Sequence, residues 1–233
     1  MLAVRNSNER GHADHGWLDA RHSFSFGSYH DAAHNSFRAL RVINEDVIAP
    51  GRGFPDHPHR DMEIITYVLS GALRHADSTG SREDIVPGVV QRMSAGSGIM
   101  HSEANPSKDE PVHLIQIWIK PDRRGAEPRH ESRAFPIHEH EGRLHLIASP
   151  DGRDGSLPIY QDASVRAGVL NVGDRVTVEI GHSRHAWVQI ARGSVTVNDR
   201  RVGGGDGVGV SDESHLTVEG LDDASELLVF DLA

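Results

Sequence analysis

The chain has 233 residues, a formal charge of −10 and 37% hydrophobic residues, enough for one large β domain or two small ones with a buried core. The acidic surplus argues against direct binding of nucleic-acid phosphates, which calls for clustered Lys and Arg. With no Cys in the sequence, disulfides, thiolate nucleophiles and sulfur-ligated metals are excluded, and any metal must rest on His and carboxylate.

Residues 1–8 lack the apolar core of a secretory signal, and no apolar run approaches the ~20 residues needed to cross a bilayer. A cytoplasmic protein without membrane contact is the expectation. The following segment, which carries His12, His15, His22, His30 and His34, reads mostly as loop with exposed imidazoles. From there to residue 120, short β segments are broken by Gly, Pro, Asn, Asp and Ser: residues 37–48, 63–70, 72–77, 89–94, 99–103 and 112–120. Strands this short and dense suggest a barrel or sandwich. Residues 121–142, polar and rich in Pro and charge, read as an interdomain connection. A second β-rich run covers residues 143–148, 165–170, 175–180, 186–191, 194–198 and 226–232. The turn glycines Gly71 and Gly193 each join two predicted strands, so the halves rhyme as two copies of one barrel would.

The seventeen His residues make roughly one His-x-His pair expected by chance, so a bare pair is weak evidence. The context of His57 and His59 is stronger. They stand in Phe54-Pro55-Asp56-His57-Pro58-His59-Arg60-Asp61-Met62-Glu63, answered by Ala95-Gly96-Ser97-Gly98-Ile99-Met100-His101-Ser102-Glu103. Within each of the pairs His57/His59 and His101/Glu103 the i, i+2 spacing puts both side chains on one face of an extended strand. On neighbouring strands the two pairs would converge on one ion. His138 and His140 lack a Gly-rich partner motif and read as solvated. His75 and His113 fall in predicted strands, either lining the barrel or satisfied within its core.

These two runs resemble the paired motifs of the cupin superfamily, and with Ser23-Phe24-Ser25-Phe26-Gly27 they resemble the pirin family, in its bacterial quercetin 2,3-dioxygenase-like branch. The resemblance implies an all-β chain of two cupin (jelly-roll) barrels, with a metal-binding barrel over residues 1–130 and a metal-free one over 131–233. It implies one divalent transition metal, Fe, Mn, Co, Ni, Cu or Zn, held by His57, His59, His101 and Glu103. Glu63 is then expected to orient an imidazole rather than to ligate. In the second half, the positions matching the His pair fall on Glu179 and Gly181. The nearby His182 and His185 are spaced i, i+3, which cannot place both on one strand face, and His215-Leu216-Thr217 lacks a carboxylate.

The function this resemblance implies is that of a metal-dependent dioxygenase that opens a flavonol-like aromatic with O2, with Glu103 as both ligand and catalytic base. Two other readings stay open. One is a metal-containing regulatory or redox-sensing protein that binds a protein partner, and the other is an isomerase or sugar-type cupin.

Overall fold

The structure is a computed structural model that describes residues 1–233. By contacts the chain divides into two compact units: Gly11–Ala134 with Ile159–Gln161, and Met1–Arg10 with Phe135–Pro158 and Asp162–Ala233. Each is a two-sheet cupin barrel with one sheet of seven strands and one of four.

In the first unit the seven-stranded sheet runs Arg129–Ala134, Val89–Ser94, Glu63–Ser70, Val112–Ile119, Leu40–Ile48, Leu18–His22, Gly11–Asp14. The four-stranded sheet runs Gly53–His59, Ile99–Ala104, Leu73–Asp77, Arg82–Ile85. The strands Glu63–Ser70 and Val112–Ile119 are almost continuous apolar runs, as befits central strands covered on both faces. Leu18, Ile48, Val68, Leu73, Ile85, Val112 and Leu114 form a buried cluster there.

The second unit repeats the plan. Its large sheet runs Leu2–Arg5, Gly207–Val210, His185–Arg192, Ser225–Leu232, Ala163–Leu170, Arg143–Ser149, Leu157–Pro158, and its small sheet Arg175–Glu179, His215–Gly220, Ser194–Val197, Arg200–Gly203. Gly71 and Gly193 occupy the same turn with φ of 77° and 70°, the left-handed region that glycine enters without steric cost. The interior of the second unit is closed by branched aliphatics, among them Val188, Ile190, Val195, Leu216, Leu227 and Val229.

The structure departs from the sequence reading in three places. The boundary expected at residue 130 is not a single cut, because Leu2–Arg5 pairs with Val210 to Gly207 and so belongs to the second unit. The stretch read as a connection contains the strand Arg129–Ala134, paired with Val89–Ser94. It is an edge strand with one free side, so its sequence is as polar as a loop. The N-terminal histidine segment, expected to be loop, contributes the strands Gly11–Asp14 and Leu18–His22, and His22 is buried.

In the small sheet of the first unit, the strands Gly53–His59 and Ile99–Ala104 approach each other closely at one end. A Cβ on Gly53 would lie 2.2 Å from the Glu103 carbonyl oxygen and 2.4 Å from Ala104 Cα. Gly53→Ala should therefore force the two strands apart, lowering stability by about 1–3 kcal/mol in chemical denaturation. An unchanged midpoint would show that the contact is not tight.

Candidate metal centre

The strands Gly53–His59 and Ile99–Ala104 pair antiparallel with His57 opposite His101 and His59 opposite Ile99. Burial along Ile99–Ala104 alternates strictly, so Ile99, His101 and Glu103 point inward while Met100, Ser102 and Ala104 do not. Gly53–His59 lies at the edge of its sheet, which is why Pro55 and Pro58 are tolerated: neither can donate to a ladder. Between His57 and Phe54 this strand carries one residue more than its partner, since His101 faces His57 but Glu103 faces Phe54. Such a bulge re-aims side chains. Here it brings Phe54 to the mouth of the site with Trp17 against it, ring centroids 5.3 Å apart.

The three imidazoles converge. Ring centroids are 4.3 Å apart for His57 and His101, and 4.8 Å for each of them to His59. One nitrogen of each can be chosen so that all three lie within 4.8 Å of one another. Glu103 does not fall in that triad. It groups instead with His101 and His75 at the same distance limit, while lining one pocket with all three imidazoles.

The nitrogens are disposed to ligate. His57 Nδ1–H donates to the Pro55 carbonyl at 2.8 Å, which leaves Nε2 with a free lone pair. His101 Nε2 is buried and meets no hydrogen-bond partner, an arrangement that costs free energy unless something coordinates it. Burial and then the neighbouring His57 hold the His59 imidazole down at about 4. Burial, followed by His57, His59 and His75, holds His101 down at about 2. Both rings are therefore neutral at physiological pH, as metal ligands must be. Burial pushes the Glu103 carboxyl up to about 7 against the hydrogen bonds it receives, of which Gln116 Nε2 to Oε1 is 2.6 Å. Neutral imidazoles with a carboxylate suit a divalent transition metal better than Ca or Mg.

Around these groups lies a pocket of about 330 Å³ with apolar walls from Leu18, Phe26, Phe54, Ile64 and Trp118. Trp118 meets His59 edge-on at 4.8 Å. His22, Asn44, Asp46 and Gln116 supply polar points on the lining, with His22 Nδ1 2.9 Å from Asn44 Oδ1. Asp46 is 4% exposed, and its Oδ1 finds no donor. Burial first, then the Glu103, Glu45 and Asp19 charges, push its carboxyl up to about 8, so it carries its proton at neutral pH.

Among the remaining expected placements, that of Glu63 came out differently. Glu63 orients no imidazole: its Oε2 accepts from Ser94 Oγ at 2.7 Å beside the Arg92 guanidinium. His113 pairs with Glu45 at 2.9 Å. His138 lies 3.7 Å from Glu226, and His140 stacks near His145. In the second unit His182 contacts Ser183, His185 contacts Ser211 and His215 contacts Ser214, so these imidazoles turn to separate hydroxyls. His75, read as lining the barrel or satisfied in its core, and Asp77, not singled out from sequence, stand directly behind His101: Asp77 is its neighbour in register, and His75 is the neighbour of Glu103. The legible trace of the inner polar set was Gln116 between Ile115 and Ile117, and the polar run Asn44-Glu45-Asp46 inside the strand Leu40–Ile48.

Residues 3–119 match the family model described as Pirin, and residues 146–232 match that described as Quercetinase C-terminal cupin domain. The chain belongs to the pirin family. It is 47% identical to a quercetin 2,3-dioxygenase of Escherichia coli K12, covering 100% of this chain and 99% of that one. A pirin-like protein of Caulobacter vibrioides is 46% identical over 98% of this chain and 99% of its own length. The crystal structure of the bacterial pirin YhhW from Escherichia coli in complex with nickel(II) superposes with a TM-score of 0.95 at 46% identity, covering 100% of this chain and 99% of that one.

Asp46 gives this pirin site a measurable signature. A carboxyl whose folded value lies above its unfolded one keeps its proton longer when folded, so folding loses stability as pH rises between about 4 and 8. In metal-free protein Asp46→Asn should raise the Tm relative to the parent, with a gain that is small at pH 4 and grows toward pH 8. A gain independent of pH would contradict a protonated Asp46.

Proposed function

We propose that His57, His59, His101 and Glu103 hold one divalent transition metal, and that the chain is a metal-dependent dioxygenase of the quercetin 2,3-dioxygenase type acting on a flavonol-like aromatic with O2. The observation that carries the metal assignment is the buried, unpartnered His101 Nε2 facing two further imidazoles. The nickel(II) complex of a relative at 46% identity supports it. The relative named quercetin 2,3-dioxygenase, 47% identical over the whole chain, supports the reaction class.

A divalent ion in this place would supply Lewis acidity, lowering the pKa of a hydroxyl set on it and so favouring the electron-rich oxyanion of an enolic or phenolic substrate. The chain's own residues do the rest. Phe26, Phe54 and Trp118 offer ring faces and edges to a flat aromatic, and Leu18 and Ile64 keep water from it. A volume of about 330 Å³ sits within the roughly 300–1,000 Å³ usual for small-molecule sites. Glu103 would take the hydroxyl proton, its carboxyl held in position by hydrogen bonds from Gln116 and Thr66. Protonated Asp46 can donate a hydrogen bond to a substrate oxygen on the same lining.

The test is reconstitution with each of Fe, Mn, Co, Ni, Cu and Zn, then loss of the visible flavonol absorption under oxygen, with and without a chelator. At least one metal should give chelator-sensitive bleaching. Glu103→Gln should keep the barrel and part of the metal binding while turnover falls roughly 10²-fold or more. Bleaching by no metal would contradict the dioxygenase reading, and an unchanged rate in Glu103→Gln would remove Glu103 from the chemistry.

A further inference from the structure

Behind His101, on the side away from the pocket, stands a chain of hydrogen bonds that the proposed reaction does not use. Asp77 Oδ1 is taken up by three donors: the Thr79 N–H at 2.8 Å, the Thr79 hydroxyl at 2.5 Å and the Ser81 N–H at 3.3 Å. Asp77 Oδ2 lies 2.9 Å from His75 Nε2, and both side chains are fully buried. His75 Nδ1 in turn lies 3.4 Å from His101 Nδ1. The His75 ring is fixed in plane by His130, stacked on it at 4.6 Å and 16°. His130 is itself tied to Glu83 at 2.9 Å and to Gln91 at 2.8 Å.

With His75 neutral, the protons in this chain have one consistent order. A carboxylate only accepts, so His75 Nε2 must donate to Asp77. A neutral His75 with its proton on Nε2 has a lone pair at Nδ1, so the hydrogen in the next bond belongs to His101 Nδ1. That leaves His101 Nε2 bare, and Nε2 is the buried atom without a partner. We propose that Asp77 and His75 are positioning residues that lock His101 into its Nδ1–H tautomer and so present the Nε2 lone pair to the metal. A hydrogen bond to the remote nitrogen of a ligating imidazole fixes its orientation and raises its basicity; here that bond passes through a second imidazole before reaching the carboxylate. The proposal rests on the reading of His101 as a ligand, but not on any substrate.

Asp77→Asn tests it with almost no change of shape. The N–H groups of Thr79 and Ser81 still need an acceptor, so the carboxamide oxygen stays with them and the NH2 turns to His75 Nε2. The His75 proton must then move to Nδ1, His101 Nδ1 becomes the acceptor, and the His101 proton lands on Nε2, where it blocks coordination. Two-bond proton–nitrogen correlation spectra of the full-length, metal-free protein should show His101 protonated at Nδ1, and at Nε2 in Asp77→Asn. Titration with Ni2+ should show the dissociation constant rising roughly 10- to 100-fold in Asp77→Asn, and likewise in His75→Phe, which deletes the acceptor. A purely structural role would lower Tm and leave tautomer and affinity where they were. The relay is overturned if parent His101 carries its proton on Nε2, or if Asp77→Asn matches the parent in both tautomer and Ni2+ affinity. A parent protein that binds no Ni2+ would instead overturn the ligand reading on which the relay rests.

Discussion

The pairing of Gly53–His59 with Ile99–Ala104 is the constraint on which the first barrel's chemistry depends. The pairs His57/His59 and His101/Glu103, each separated by one residue, can converge only if their strands are neighbours, antiparallel and in this register. A slip of one residue would turn the pair on the slipped strand to the opposite face, away from its partner pair. The register is fixed by features of both strands. Gly53 lets the backbones touch at one end, and the bulge between Phe54 and His57 takes up the odd residue before the His pair begins. The edge position of Gly53–His59 allows two prolines, which stiffen the segment. The entropy of ordering His57 and His59 is thereby lost during folding.

The second barrel shows what the same architecture does without that constraint. It has the same seven-plus-four sheet plan and the same glycine turn. Its interior is packed with valine, leucine and isoleucine, and its nearby histidines sit on turns and strand ends, each against a hydroxyl. A fold of this kind is neutral as to chemistry. The distinction between the halves is drawn by a handful of side chains on two strands.

Much of this was readable from residue order. Short β segments bounded by turn residues marked the long central strands, and the i, i+2 spacing of His57/His59 and His101/Glu103 pointed to one shared face. Edge strands escaped, because Arg129–Ala134 and Gly11–Asp14 have a solvated side and a polar composition that a loop shares. The first five residues could not be assigned to the second barrel from local pattern, since their pairing partner lies some two hundred positions away. Inside the site, sequence reasoning found the residues with motif context and missed those defined by packing alone. Asp46 and Gln116 are polar strand residues whose meaning comes from what the barrel buries around them. Glu63 was read from the resembled motif, yet a buried carboxyl turns to its nearest donors, and those are the Ser94 hydroxyl and the Tyr160 backbone, with Arg92 beside them. His75 and Asp77 are adjacent to the site only through the pairing of Leu73–Asp77 with Ile99–Ala104, a contact no local pattern encodes.

Whether three imidazoles and one carboxylate of the first barrel grip a single divalent ion is decided by X-ray absorption on protein loaded with one equivalent of Ni2+. The expected spectrum has an inner shell of nitrogen and oxygen at about 2.0–2.1 Å, near the metal–imidazole distances usual for divalent ions, with outer-shell scattering from three imidazole rings. A spectrum fitted by two imidazoles or fewer, or by oxygen alone, would contradict that grip.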